Sequence, residues 1–275
     1  RLLQALWACS LRQFWEVVNV SQKHPLEYYG RLHQMLQVLL DVFYSDSQGL
    51  SLNSLKNAEY KSLENQLYLR KSNTLELIER YYQERAEEQQ AADSAGNGHG
   101  KLKTGCSYDD KSQMLTVDLT DALANAPSWA NACSDHYVKV LLCPRHIFPH
   151  AHPRRTQRKM HTSPIQFEES FKLNVTMEQA RAPGACLVLR LKAQCGLHKG
   201  LLGEAVLGLR SVAGLEAPAP ESLHSARSQL LLPLLRPKTQ ESDAVKFLQR
   251  RCSEKEGKQF LKKLRKAEKR ILFST

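Results

Sequence analysis

Cys143, His146, His150 and His152 fall within ten residues of one another, and they are side-chain types that bind zinc. Their spacing matches no paired-ligand pattern. Cys143 closes a buried-looking strand, where a free thiol serves as a small apolar side chain, so no metal is expected there. Ser134-Asp135-His136 holds the side-chain types of a hydrolase triad, but triads are assembled from separated elements. GxSxG, phosphate-binding-loop and paired-carboxylate patterns are absent, so no catalytic residue is expected. What the sequence does offer is cationic. Arg154, Arg155, Arg158 and Lys159 crowd into six positions, and near an anionic membrane each is worth on the order of 1 kcal/mol. The other reading is a solvated edge strand whose charges discourage aggregation.

These groups must be carried by elements. Residues 1–20 and 26–44 have helical periodicity, the second with a stripe of Leu32, Met35, Leu36, Leu39 and Phe43. Pro25 suits a helix start, and Ser45 to Gly49 is turn chemistry. A third helix is expected from about Ala58 to Glu88, its stripe formed by Tyr60, Leu63, Leu67, Thr74, Leu75, Ile78 and Tyr81. The small, polar run AADSAGNGHG from Ala91 to Gly100 reads as a linker.

Beyond it the period changes to two. Leu115, Val117 and Leu119 alternate with polar residues, and Tyr137–Cys143 reads as a buried strand. Phe167, Phe171, Leu173 and Val175 give another strand, with a break in phase at Glu169. Leu187, Leu189 and Leu191, then Leu202–Leu209 and Gln229–Leu232, continue the series. Short strands between Pro- and Gly-containing turns argue for a β-sandwich. A basic helical tail follows, with Phe247, Leu248, Phe260, Leu261, Leu264 and Ile271 among many lysines.

The 275 residues carry a net charge of +11, distributed unevenly. Residues 1–100 are net −2, residues 101–237 net +6 and residues 238–275 net +7, so an anionic partner is expected for the second half. The seven scattered cysteines, with no CxxC pair, fit a reducing, cytoplasmic setting. The opening RLLQALW reads as mid-helix. No apolar run approaches the ~18 residues of a membrane span. A soluble piece of a longer chain is therefore expected.

Ser134-Asp135-His136-Tyr137-Val138-Lys139-Val140 resembles the SDPYVKV signature of C2 domains, with His for Pro, and Leu202-Gly203-Glu204-Ala205 resembles the strand after their third loop. CPRHIFPHAHPRRTQ (Cys143–Gln157), FEESFKLNV and GACLVLRL are more specific. Together they resemble the C-terminal C2 domain of the Unc-thirteen (Munc) priming-factor family, particularly its non-neuronal fourth paralogue. Phe43, Gly49-Leu50, Leu55, Tyr60, Leu63, Thr74 and Leu77-Ile78 resemble the end of that family's MUN region. The resemblance implies a helical segment (1–90), a linker (91–100), an eight-stranded antiparallel C2-type β-sandwich (101–237) and a basic C-terminal helical tail (238–275). It also implies a cytoplasmic, peripheral membrane protein of vesicle tethering and priming that engages anionic phospholipid and SNARE proteins.

The departure lies in the calcium site. C2 domains hold calcium with about five carboxylates from two loops, because a hard dication needs several oxygen ligands. Here the matching positions are Trp129, Asp135, Lys192, Gln194 and Gly200, and residues 188–202 contain no Asp or Glu. Calcium binding is therefore expected to be lost, and no cofactor is expected. Two consequences are open. Lys192 supplies a fixed positive charge beside Asp135, with Trp129 and Leu197 as apolar tips for an anionic bilayer; or it merely pairs with Asp135 and the loops are inert. A protein-interaction module is the alternative for the whole sandwich. A nucleic-acid partner is not expected, because no recognition motif is present and no aromatics interleave the basic run.

Overall fold

The computed structural model describes residues 1–19, 24–45, 48–95, 100–124, 135–160, 162–195, 198–215, 229–236, 242–251 and 254–272. The chain divides into two compact units, Arg1–Leu77 and Ile78–Thr275.

The first unit is helical. It contains α1 (Leu2–Asn19), α2 (Leu26–Tyr44), the short α3 (Leu52–Leu55), α4 (Ala58–Lys71) and the start of α5 (Thr74–Ala95). Trp7 and Leu11 of α1, Leu36 and Leu40 of α2, Leu55, and Tyr60, Leu63 and Leu67 of α4 form its core. The Trp7 indole donates to the Leu55 carbonyl at 3.1 Å, which satisfies the one polar atom of a buried ring. Of the expected apolar stripe of α2, Leu36 is in the core and Leu32, Leu39 and Phe43 pack against it; Met35 alone departs. Tyr29, Leu36 and Leu40 are buried, whereas Met35 is 58% exposed.

The expected third helix is two. The chain breaks after Lys71, where the Asn73 side chain accepts from the backbone of Leu75 (2.9 Å) and Glu76 (3.0 Å). Glu76 in turn accepts from the Asn73 backbone at 2.8 Å, so the two side chains satisfy each other's end of the new helix. The continuous apolar stripe concealed this start. Helix α5 then runs to Ala95, so part of the expected linker is helical. Alanine and glutamine there are good helix formers.

The second unit holds the sandwich. One sheet has the order β6-β2-β1-β9 and the other β4-β3-β7-β8, with β5 also pairing β3. The strands are β1 (Gly100–Asp109), β2 (Met114–Ala124), β3 (Asp135–Cys143), β4 (Arg154–Arg155), β5 (Lys159–Met160), β6 (Ile165–Asn174), β7 (Cys186–Cys195), β8 (His198–Gly208) and β9 (Gln229–Pro233). All ladders between them are antiparallel. Because β4 and β5 both pair β3 as two pieces of one interrupted edge, the described residues form eight strands. Its core joins Leu102, Leu115, Val117 and Leu119 of the first sheet to Val138, Val140, Leu187, Leu189 and Leu191 of the second. The break in phase near Glu169 is a bulge opposite Leu119–Asp121, with Glu168 at φ 49°. A short helix α6 (Met177–Arg181) precedes β7, and α7 (Asp243–Arg250) and α8 (Lys255–Leu272) follow β9.

The part of α5 beyond Ile78 belongs to this unit and covers one end of the second sheet's outer face. Tyr82 and Ala86 pack on Cys143, Cys186, Val188 and Val206. Gln89 donates to the Pro233 carbonyl (2.9 Å) and accepts from the Val206 backbone (3.1 Å). Gly184, at φ +71°, has no room for a side chain, since a Cβ would lie 2.5 Å from the Glu79 carbonyl oxygen. Burial pushes the Cys186 thiol well above its ordinary value and raises that of Cys143; Cys106, also buried, is pushed up to about 12. In the native protein these three thiols should stay unlabelled by maleimide while exposed Cys9 reacts at once. Labelling followed by mass mapping, before and after denaturation, checks this.

Candidate functional site

The outer face of the second sheet can be read as rows, because directly opposed residues of neighbouring strands point to the same side. At one end lie Cys143 and Cys186, then Leu141, Val188 and Val206, the apolar patch under α5. The next row is Arg155, Lys139, Arg190 and Glu204. Beyond it come Tyr137, Lys192 and Leu201, and finally Met160, Asp135, Gln194 and Lys199. The face thus changes along the strands from apolar and covered to cationic and half-exposed.

Glu204 marks the border between the two halves. It accepts from Arg85 of α5 at 3.1 Å and from Arg190 at 3.0 Å, and both Arg85 and Glu204 are only 3% exposed. Burial opposes the Arg85 charge, but Glu204 and Tyr81 outweigh it and hold the guanidinium firmly protonated. Glu204 also exchanges backbone hydrogen bonds with Leu235 (2.8 and 2.9 Å). The preceding Gly203 admits the close approach of Leu234, whose Cβ lies 2.8 Å from where a Cβ would stand.

Arg154 and Arg155, opposite Val140 and Lys139, are exposed at the sheet edge. Thr156 pins this edge. Its backbone N–H donates to the Val138 carbonyl, and its hydroxyl accepts from the Val138 N–H, both at 3.0 Å. With Thr156 buried, the edge is fixed: Arg155 shares the outer face with Lys139, whereas Arg154 and Lys159, opposite Val140 and His136, lie on the other side of the strand. Arg158 is exposed, Lys159 half-buried, and Met160 beside them is 80% exposed. The expected cationic cluster is therefore an ordered edge with an apolar tip. Tyr137 and Lys139 extend it onto the sheet face. The sequence reading missed both, although their alternation with Val138 and Val140 signalled an outward side.

The calcium-ligand positions expected in the third loop are not in a loop. Lys192 opposes Leu201, Ala193 opposes Gly200, and Gln194 opposes Lys199, in a hairpin that closes at Cys195 and His198. Asp135 opposes Gln194 on the neighbouring strand, so Asp135, Lys192 and Gln194 share the outer face while Gly200 falls on the other side. Trp129 and Leu197 lie outside the described residues. The superficial zinc quartet does not converge. Cys143 is buried beneath Tyr82, His146 pairs with Glu79 at 2.7 Å, and His150 and His152 are exposed. Among the described residues no group of three or more His, Cys, Asp or Glu could hold a metal ion. No described helix is long and apolar enough to cross a membrane.

Comparison with models of known protein families gives no match. The chain is 33% identical over 98% of its length to mouse BAI1-associated protein 3, and equally so to the human protein. It is 32% identical over 95% of its length to human unc-13 homolog D. The chain spans about a quarter of these relatives (23%, 22% and 24% of their lengths). Among solved structures, a C2 domain of RIM from Drosophila matches half of the chain at 20% identity and TM-score 0.40, with 99% of that domain covered. The first C2 domain of human synaptotagmin XIII matches 44% of the chain at 24% identity and TM-score 0.34, with 83% of that domain covered. The chain is thus homologous to the unc-13 proteins over nearly all its length, and the two kinds of relative match it at nearly the same identity.

Proposed function

We propose, from the homology of this chain to the unc-13 proteins, that it acts in vesicle tethering or priming during regulated exocytosis. In this reading the sandwich associates peripherally with an anionic vesicle or plasma membrane, on the cytoplasmic side and without calcium. The helical unit engages SNARE proteins, a role inferred from kinship alone. No catalytic step and no nucleic acid enter the proposal. The observation that carries it is the ordered basic edge of Arg154, Arg155, Arg158 and Lys159, anchored by Thr156, with Arg155 on the outer face beside Tyr137 and Lys139. A pinned strand loses less side-chain and backbone freedom on binding than a loose basic tail would.

The same geometry supports independence from calcium. Lys192 and Gln194 stand in a paired hairpin, where neither side chain offers a carboxylate to a hard cation. The fixed ammonium of Lys192 then contributes to lipid attraction directly. The second reading is an interaction scaffold whose sandwich binds a protein partner. It is favoured by Leu123 and Leu231, exposed apolar residues on the first sheet.

Co-sedimentation with phosphatidylcholine vesicles, with and without phosphatidylserine, separates the two. The protein should pellet with the anionic vesicles alone and to the same extent in calcium or in chelator. Failure to pellet favours the scaffold, and binding seen only with calcium would refute the proposal.

A further inference from the structure

We infer that the outward face of α8 is a second surface for an anionic bilayer, gripping headgroups by charge alone and without insertion. It is separate from the edge strand and does not depend on that strand's binding lipid. The first observation is how α8 is held. Gly257, Leu261 and Leu264 are buried. Phe260 meets Tyr81 and Tyr82 of α5 edge-on, with ring centroids 5.3 and 6.0 Å apart. A helix that lies in a membrane interface sinks its apolar side into the acyl boundary. That side of α8 is already occupied by the protein.

The second observation is the composition of what remains. At 100° per residue, the arc opposite the buried residues carries Lys255, Lys258, Lys262, Lys263, Arg265, Lys266 and Lys269, all exposed. Its one uncharged member with a described side chain is Gln259. The nearest carboxylate on the helix, Glu256, stands at the arc's border, and Glu268 faces the sandwich side. A surface that only has to stay in solution mixes its signs. Helix α5 does so, pairing Arg80 with Glu84 and Glu87. Seven cations in an arc without a carboxylate make a single-sign field along some 20 Å of helix, about 1.5 Å per residue. A flat array of headgroups is the anion that touches all of them together, at about 1 kcal/mol per residue near the surface.

The test is made in two backgrounds so that the two surfaces are read separately. Lys258→Gln, Lys262→Gln, Lys266→Gln and Lys269→Gln are combined in the natural chain and in one whose edge strand carries Arg154→Gln, Arg155→Gln, Arg158→Gln and Lys159→Gln. Affinity for phosphatidylserine-containing vesicles should fall at least about tenfold in both backgrounds, with a shallower salt dependence and an unchanged thermal midpoint. Unchanged vesicle affinity in both overturns the inference. So does a loss confined to heparin or duplex DNA, which would assign the face to another polyanion. A nitrobenzoxadiazole probe attached through Lys262→Cys, in a chain whose Cys9, Cys133, Cys195 and Cys252 are replaced by serine so that only buried native thiols remain, should show no blue shift on vesicles that bind the protein. A large shift would mean insertion and refute the charge-only mode.

Discussion

Glu204→Ala should lower the stability of the sandwich unit by about 3–5 kcal/mol, the range found when one partner of a buried ion pair is removed. The carboxylate sits between Arg85 and Arg190, and Arg85 has almost no access to water. Without Glu204 the Arg85 guanidinium keeps its exposed partner Glu88 but loses the buried one. Arg190, at 24% exposure, has water nearby and suffers less. Chemical unfolding measured as a midpoint in urea, with an unchanged slope, reads the loss directly. A cost below about 1 kcal/mol would mean that water reaches the cluster and that the buried pair is not as described. The joint replacement Arg85→Met with Glu204→Leu should recover much of the loss, because it removes both charges together.

The other large effect is expected in binding. Neutralising Arg154, Arg155, Arg158 and Lys159 together should weaken attachment to anionic vesicles by about 2–4 kcal/mol, or roughly 30- to 700-fold. The fold should survive, since three of the four are exposed and Thr156, which holds the edge to β3, is untouched. The loss should shrink as salt is raised, because exposed charges are screened over about 8–10 Å at physiological ionic strength. Vesicle titrations at two salt concentrations would measure it. An affinity indifferent to the four substitutions would leave the basic edge with only the role of keeping neighbouring strands apart.

Most of the architecture was legible in the sequence because one face of each element is apolar. The strands of Leu115–Leu119 and Leu187–Leu191 declared themselves by alternation, and the sandwich they implied is present. Strand β1 did not. Its inward positions are Leu102, Thr104, Cys106 and Tyr108, and the two polar ones look like a surface until the Thr104 hydroxyl is seen donating to the Asp118 carbonyl at 2.8 Å. The break before α5 was hidden for the opposite reason, since an apolar stripe ran unbroken across Ser72 and Asn73. Short-range spacing also could not say that Lys192 and Gln194 lie in a hairpin, because a register shift between Leu191 and Lys192 displaces any count made backwards from Gly203. The basic run at Arg154 was visible, but the residues that give it shape, Thr156 and Lys139, are set by tertiary pairing.

Helix α5 has a consequence for where this protein can be cut. A fragment opening at Gly100, the first residue of the sandwich, would retain every strand yet lose Tyr82, Arg85, Ala86 and Gln89. Cys143, Cys186, Val188 and Val206 would then meet solvent as a raw greasy window, with Glu204 stripped of one counter-charge beside it. Such a piece is primed to clump, and the smallest well-behaved portion begins upstream of Asn73, with the helix that seals the window.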